Sequence, residues 1–398
     1  MKIPQYFFFL IFIILVLGSG YTYLKKRLVE KFNISKTKHK IFSRLILALF
    51  IMVILSFPFR IIFGALLDWY DRIAFASLGI ISFLFTYTLI RDLGELLFFF
   101  YKKIPKSANQ KKPEDSQEFI KRKEFIYKSI NYSILGLSGL SFSYGFIKSQ
   151  INPKVVQVNV PIQNLPVEFD NFKICQISDL HIGALLKGDF TENVVSIINS
   201  LNADIVALTG DAVDGSVAAL KKDTEPLSDI KTKYGKFFAT GNHEYYSGVD
   251  EWMKEFDRLK FTVLLNENRA IQKNNSKIFI AGVADPHGER FSKFHKSSPL
   301  KAAKGIKEND ISILLAHQPK SIYEASKANF NLQLTGHTHG GQFFPWIYIA
   351  QMVHPYIAGL HKHENTFIYV NSGTGYWGPP VRMGTDSEIT LLTLKRVV

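Results

Sequence analysis

Hydrophobic residues follow two different patterns along this chain of 398 residues. The N-terminal part contains long apolar stretches separated by loops rich in lysine and arginine. From about residue 152, short apolar runs alternate with stretches of helical period. Long apolar stretches are typical of transmembrane helices, and the later alternation is typical of an α/β sandwich. We therefore predict an all-α membrane region in residues 1–150 and an α/β domain in residues 151–398.

Four apolar stretches form the predicted membrane region. They run from about Pro4 to Leu24, Leu45 to Phe63, Ile73 to Ile90 and Ile126 to Ile147. About 20 apolar residues are enough for a helix to cross a bilayer, so we predict about four transmembrane helices. The fourth stretch is the weakest because it contains many Ser and Gly, and a signal-type segment or an interfacial helix is its alternative interpretation.

The net positive charge of the chain lies almost entirely in the predicted membrane region. Residues 1–150 contain 22 Lys and Arg against 9 Asp and Glu, whereas residues 151–398 contain 26 against 25. Two basic loops, one after the first apolar stretch and one before the fourth, are cytoplasmic by the positive-inside rule. This position of the charge indicates a lipid bilayer as partner and argues against nucleic acid.

Four crossings would make the chain a multi-pass protein of the cell (inner) membrane with an extracytoplasmic second domain. If the fourth stretch does not cross, that domain faces the cytoplasm instead. The sequence does not indicate an oligomeric state.

The second domain has the strand and helix content of an α/β sandwich. The predicted strands are Val155–Val160, Phe172–Ser178, Ile205–Thr209, Phe237–Thr240, Thr262–Asn266, Ile278–Val283, Ile311–Ala316, Leu332–Thr335, Phe367–Asn371 and Ile389–Leu394. Predicted helices between them include Thr191–Asn202, Val249–Leu259 and Pro319–Lys327. The only cysteine, Cys175, lies in an apolar run and is expected to be a small buried hydrophobic residue.

Residues of the types that commonly bind metals follow five of these strands. They are Asp179 and His181, then Asp211 and Asp214, then Asn242, His243 and Glu244, then His317, and finally His337 and His339. Ligands bind beyond the carboxyl ends of strands in open α/β sheets, so these five strand ends can converge on one site. Oxygen and nitrogen donors of this kind suit Zn, Fe, Mn and similar divalent ions. Two such ions about 3.5–4 Å apart form a clamp for displacement at phosphorus.

The order of these residues resembles the calcineurin-like metallophosphoesterase superfamily. The matching motifs are Asp179-Leu180-His181, Gly210-Asp211-Ala212-Val213-Asp214, Gly241-Asn242-His243-Glu244, His317 and Gly336-His337-Thr338-His339. The resemblance implies an αββα sandwich preceded by the membrane helices. The sequence Gly340-Gly341-Gln342 and the multi-pass anchor resemble a membrane-associated bacterial branch of that superfamily.

The resemblance also implies roles for the metal ligands and the acid–base pair within these motifs. Asp179, His181 and His339 would hold one divalent ion, Asn242, His317 and His337 would hold a second, and Asp211 would bridge the two. His243 would contact the phosphate and protonate or stabilise the leaving oxygen, and Asp214 would orient His243. Gly340 and Gly341 would keep room for the substrate.

Two further features lie outside these motifs. Arg382 follows a loop with two prolines, and it is either a cation that contacts substrate phosphate or a surface arginine on a rigid turn. The apolar residues Trp346 to Met352 are expected to be ordinary core, with contact to the membrane or to an acyl chain as the alternative.

These features predict a membrane-anchored two-metal phosphohydrolase or phosphodiesterase. A hydroxide that bridges the ions would attack a phosphate ester, on substrates that include lipid and envelope components. One alternative is a pyrophosphatase of the UDP-diacylglucosamine type that faces the cytoplasm. Another alternative is a non-catalytic scaffold on the same fold, although such proteins lose metal ligands and none is missing here.

Overall fold

The computed structural model describes residues 3–32, 34–63, 68–103 and 117–397. The chain divides into two compact units, Met1–Phe146 and Ile147–Val398.

Long helices make up the first unit. They are α1 (Ile3–Leu24), α2 (Lys36–Phe63), α3 (Asp68–Lys103) and α4 (Gln117–Ser149), with a short π-helix at Lys25–Val29. Within the described residues, two segments are long and apolar enough to cross a bilayer, Lys36–Arg60 and Asp68–Tyr101. They contain most of the second predicted apolar stretch and all of the third. The first and fourth stretches form α1 and part of α4, which are not in that pair.

Helix α3 continues well beyond the predicted end of its apolar stretch. Charged residues after Ile90 remain helical because they have polar partners on other helices. Asp92 accepts hydrogen bonds from the Tyr23 hydroxyl at 2.8 Å and from Arg27 Nε at 2.6 Å. Arg91 Nη1 donates to Asn131 Oδ1 at 2.5 Å. These contacts satisfy groups that would be costly to bury alone.

Two six-stranded sheets form the centre of the second unit. In chain order, the strands are β1 (Lys154–Gln163), β2 (Lys173–Ile177), β3 (Ile205–Leu208), β4 (Lys236–Phe238), β5 (Phe261–Val263), β6 (Glu267–Lys273), β7 (Ser276–Gly282), β8 (Ile311–Leu315), β9 (Leu332–Thr335), β10 (Gly359–His363), β11 (Thr366–Val370) and β12 (Glu388–Val397). The strand order is β1-β12-β2-β3-β4-β5 in one sheet and β10-β11-β9-β8-β7-β6 in the other. Strands β2 to β5 are mutually parallel, as are β7, β8, β9 and β11.

Helices cover the outer faces of both sheets. The helices of this unit are α5 (Gly188–Ser200), α6 (Val217–Thr224), α7 (Asn242–Ser247), α8 (Val249–Arg258), α9 (Pro299–Ala302), α10 (Ile322–Lys327) and α11 (Trp346–Val353). Alternate residues of β3 face opposite sides, because Ile205 and Ala207 join the core between the sheets, whereas Val206 and Leu208 pack with Trp252 of α8. The predicted αββα sandwich is therefore confirmed.

All ten predicted strands are present, and two further strands escaped prediction. Strands β6 and β10 lie at the edges of the second sheet and pair antiparallel with their neighbours. Their sequences, ENRAIQK and GLHKH, are mostly polar because an edge strand buries little of its surface. Such strands lack the apolar run on which the prediction depended.

Helix α11 differs from its prediction. None of its eight residues, all of which the structure describes, is buried. Met352 is 86% exposed and Val353 is 69% exposed. The expectation that this apolar segment is ordinary core was therefore wrong.

Candidate metal centre

The predicted metal-binding residues lie at one edge of the sandwich. They follow the carboxyl ends of β2, β3 and β4 in one sheet and of β8 and β9 in the other. Parallel neighbouring strands end side by side, so short loops bring their polar residues together. Among the described residues, the acidic and histidine side chains form three groups of metal-ligating geometry, in each of which the donor atoms lie within 4.8 Å of one another. Two of them contain only predicted metal ligands, and the third, formed by His181, Asp214 and His243, shares His181 with the first.

The first group contains Asp179, His181 and His339. The Nε2 atoms of His181 and His339 are 3.1 Å apart, and His339 Nε2 lies 3.3 Å from Asp179 Oδ1. Two imidazole nitrogens and a carboxylate oxygen thus converge on one point, as the ligands of a divalent cation do.

The second group contains Asp211, His317 and His337. His317 Nε2 lies 3.0 Å from Asp211 Oδ2 and 3.1 Å from His337 Nδ1. The carboxylate of Asp211 also approaches the His243 ring, with 3.9 Å between its Oδ2 and His243 Nε2.

Hydrogen bonds at Nδ1 of His317 and His181 determine which ring nitrogen each histidine offers to its ligand group. His317 Nδ1 lies 2.8 Å from the carbonyl oxygen of Thr209, and His181 Nδ1 lies 3.1 Å from Asp214 Oδ2. A ring that donates Nδ1–H to these acceptors keeps the Nε2 lone pair for the cluster. This arrangement is the usual outer support of a metal-binding histidine.

Asn242 provides an independent test of whether a metal fits. Its Oδ1 is buried and has no hydrogen-bond partner among the described residues. An amide oxygen left in this state costs free energy unless another group binds it. The sequence resemblance places Asn242 in one ligand set with His317 and His337, and a divalent cation bound there would satisfy this oxygen. The residues present therefore fit the implied metal.

His243 and Asp214 form a hydrogen-bonded pair beside the two groups. Their Nδ1 and Oδ1 atoms are 2.5 Å apart. Burial favours the neutral ring, but the charges of Asp211 and Asp214 outweigh it and raise the pKa of His243 to about 9. Burial likewise opposes ionisation of Asp214, yet the two histidines that it contacts hold the pKa of this carboxyl well below its usual range. Asp214 contacts His181 as well as His243, and the first of these contacts was not predicted from the sequence.

Glu244 is a buried residue that the sequence motif includes without assigning it a task. Its carboxylate accepts backbone N–H groups from Gly241 at 2.6 Å, Ala212 at 2.7 Å and Asp211 at 3.0 Å. Burial and the charge of Asp211 raise the pKa of Glu244 to about 7, although these amides favour the carboxylate. Glu244 thereby fixes the main chain that carries Asp211 and the turn that carries His243. Its place in the Gly241–Glu244 motif was the available signal.

Several of these side chains stand on strained backbone. Asp179, His181, Asp211, His337 and His339 all have positive φ, between 49° and 72°. This left-handed region costs a residue with a Cβ on the order of 1 kcal/mol or more. Such strain persists only where the surrounding structure enforces it, and it concentrates at functional sites.

The glycines after His339 have a backbone conformation that favours glycine. Gly340 and Gly341 have φ of 59° and 79°. A Cβ on Gly341 would also collide with the backbone of Ile347 in α11, and one on Gly340 would come close to the Thr385 side chain. These contacts require glycine at both positions, and the room for substrate stays a prediction.

Arg382 is located behind the first group of ligands. It is only 1% exposed, and its guanidinium donates to the carbonyl oxygens of His339 (3.1 Å), Ser372 (2.7 Å) and Gly373 (3.1 Å). Its Nη2 lies 3.4 Å from His339 Nδ1. This burial argues against the predicted contact with substrate phosphate and also against a surface arginine. The arginine instead holds together the loops that position His339.

Comparison with known proteins defines the class. Residues 172–341 match the family model described as calcineurin-like phosphoesterase. A zebrafish (Danio rerio) transmembrane protein with metallophosphoesterase domain is 31% identical over 98% of this chain and 89% of its own length. An uncharacterized metallophosphoesterase from Campylobacter jejuni is 32% identical over 97% of this chain and 99% of its own.

The chain therefore belongs to the calcineurin-like phosphoesterase family. It is a metal-dependent hydrolase of phosphoric ester bonds, as the sequence predicted. A further relative, an uncharacterized metallophosphoesterase from Aquifex aeolicus, is 32% identical over 61% of this chain and 92% of its own length. In that relative the matching part makes up nearly the whole protein.

Proposed function

We propose that the second unit is a two-metal phosphoesterase in which each side chain of the site has a separate task. Asp179, His181 and His339 would hold one divalent ion, Asn242, His317 and His337 would hold the other, and Asp211 would bridge them. The observation that carries this proposal is the pair of ligand groups whose nitrogen and oxygen donors converge within 4.8 Å. The outward hydrogen bonds of His181 and His317 support it, because they direct Nε2 toward the ions.

Two bound divalent cations supply a water of lowered pKa and neutralise the phosphoryl oxygens. The protein supplies the geometry for in-line attack by fixing the ligands on two rigid sheets. The hydrogen bond from Asp211 N–H to Glu244 holds the backbone of the bridging aspartate in place. Holding reacting groups in position removes an entropic cost that would otherwise slow the reaction.

His243 is the proposed proton donor. Its Nδ1 lies 2.5 Å from Asp214, so that carboxylate stabilises the imidazolium form. The Nε2 proton is then available for the leaving oxygen, which departs as the neutral alcohol. General acid catalysis of this kind contributes roughly 10²–10⁴-fold to the rate.

Hydrolysis of bis-p-nitrophenyl phosphate with added Mn²⁺ tests this function. The full chain should hydrolyse the ester, and Asp211→Asn should abolish most of the activity because it removes the bridging charge. Asp204→Asn is the matched control, since Asp204 accepts the Lys173 N–H at the opposite ends of the strands. Equal, metal-independent rates in all three proteins would favour the scaffold and sink the proposal.

We further propose that the chain crosses the membrane several times and that the second unit faces away from the cytoplasm. The two basic loops support this orientation through the positive-inside rule. A reporter that is active in only one compartment, fused after Val398, tests it. A cytoplasmic signal would reverse the orientation without affecting the proposed chemistry.

A further inference from the structure

Two segments near the metal centre expose apolar side chains. The first is helix α11, which exposes Ile349, Met352 and Val353. Its start packs against Gly341, two residues beyond His339. A soluble enzyme normally buries large apolar residues of a helix, and a group left exposed beside a site marks a contact surface.

The second segment is the loop of residues 290–296, which contains both aromatic and basic residues. Phe294 is 88% exposed, and Phe291 is exposed as well. Arg290, Lys293 and Lys296 lie between and beside them with exposed side chains. Lys296 Nζ lies 3.4 Å from Glu289 Oε1. The charges of Arg290 and Lys293 still leave the loop with a net positive charge.

Ring contacts connect this loop and Trp377 to His243, the proposed proton donor. The Tyr246 ring lies 5.4 Å from the His243 ring and 6.0 Å from Phe291. Trp377, which is half exposed, also lies 5.4 Å from His243. We call Phe291, Phe294, Ile349, Met352, Val353 and Trp377 the apolar rim.

We propose that the apolar rim inserts into the surface of a lipid bilayer and that the site acts on a phosphoester displayed at that surface. The substrate class is an amphiphile, with its ester in the metal centre and its alkyl chain among the rim residues and the lipids. This inference rests on the proposed phosphoesterase function for its substrate. The docking itself does not depend on catalysis.

Two observations select a bilayer rather than another partner. Aromatic and aliphatic side chains next to lysine and arginine match an interface of acyl chains below anionic headgroups. The same chain also carries two helices long and apolar enough to cross a bilayer. Only four residues separate the end of α4 from the start of β1, so the second unit has a short connection to the helical part of the chain.

Fluorescence quenching in the full chain tests the docking directly. Met352→Cys and Phe294→Cys, each labelled with the environment-sensitive probe NBD, are reconstituted in vesicles of phosphatidylcholine and phosphatidylglycerol that contain spin-labelled lipid. Cys175 does not compete for the label, because it is buried and burial raises its thiol pKa to about 12. Val167→Cys is the control, an exposed apolar position just before β2 and thus at the opposite ends of the strands.

The expected result is quenching by shallow spin labels at positions 352 and 294 and none at position 167. Quenching at position 294 should weaken in Lys293→Glu when the vesicles contain phosphatidylglycerol. Equal quenching at all three positions, or none at any, would overturn the proposal. A label that is shielded from water but not quenched by lipid would identify a second copy or another part of this chain as the occupant, which also overturns it.

Two phosphodiesters with the same leaving group test the substrate class. Ethyl p-nitrophenyl phosphate is water-soluble, whereas hexadecyl p-nitrophenyl phosphate enters the vesicles. Replacing Met352 and Val353 by Ser should lower kcat/KM for the hexadecyl ester by about tenfold or more and leave the ethyl ester unchanged. The control Val167→Ser should affect neither ester.

Unchanged rates on the hexadecyl ester in the rim variant would refute the proposed substrate class. Absence of metal-dependent hydrolysis of both esters by the unsubstituted chain would instead refute the phosphoesterase function. The quenching measurement would still decide whether the rim docks on lipid.

Discussion

Replacement of Glu244 by Gln tests whether the outer support of the bridging aspartate controls metal binding. One Glu244 oxygen accepts the N–H groups of Gly241 and Asp211, and the other accepts that of Ala212. The favourable orientation of a glutamine keeps its oxygen on the first two groups and turns its NH₂ toward Ala212 N–H. One charge-assisted hydrogen bond is then lost, and a buried donor faces another donor.

The magnitude follows from these contacts. A hydrogen bond to a charged group contributes about 1.5–3 kcal/mol, and an unsatisfied buried donor adds about 1–3 kcal/mol. We expect Glu244→Gln to lower the free energy of unfolding by about 2.5–6 kcal/mol, the sum of these two contributions. Because Asp211 sits on the released backbone, metal affinity should fall roughly 10–100-fold, the usual cost of losing an outer-shell partner.

Two assays separate these effects. Chemical denaturation of residues 147–398 reports stability, and the dependence of hydrolysis on buffered free Mn²⁺ reports affinity. Asp204→Asn is the control, because it weakens a carboxylate-to-amide hydrogen bond far from the ligands and should leave affinity unchanged. Lower stability with normal metal affinity in Glu244→Gln would refute the reasoning.

Three further predictions concern proton transfer, metal removal and pH. His243→Asn should slow hydrolysis of an alkyl phosphate ester by roughly 10²–10⁴-fold and slow that of a p-nitrophenyl ester much less, because the better leaving group needs no proton; equal losses on both esters would exclude a general-acid role. Chelation by EDTA should abolish activity and lower the melting temperature of residues 147–398, and added Mn²⁺ should restore both; a melting temperature that ignores the chelator would contradict the metal site. Burial lowers the pKa of Lys236 from 10.5 to about 8, so this residue disfavours the fold while it is charged. The free energy of unfolding of the unsubstituted protein, relative to that of Lys236→Met, should therefore rise by about 1–3 kcal/mol between pH 8 and 10.5. Urea denaturation at each pH measures this difference, and a flat or falling difference would show that folding does not lower the pKa of Lys236.

The sequence was informative where chemistry follows a buried strand. Apolar runs such as Phe172–Ser178 end directly in Asp and His, so both the strand and the ligand type could be read locally. The structure brings these residues together as that pattern predicts. The role of Glu244 could not be predicted in the same way, because its three amide donors come from two loops that meet only in the folded chain.

Apolar composition alone did not distinguish buried core segments from exposed surface segments. Helix α11 is rich in large apolar residues, yet it lies on the outside of the unit. Strands β6 and β10 present the reverse case, since they are mostly polar and still pair in a sheet. In both cases the neighbours in space decide the outcome, and these neighbours are distant in the sequence.

Asp214 contacts two histidines with different proposed tasks. One carboxylate oxygen lies 3.1 Å from His181, a proposed ligand, and the other lies 2.5 Å from His243, the proposed acid. A substitution at Asp214 therefore perturbs ion retention and proton delivery at once. Kinetic losses in such a variant are not a measure of either step, and a double-mutant cycle between His181 and His243 is required to apportion them.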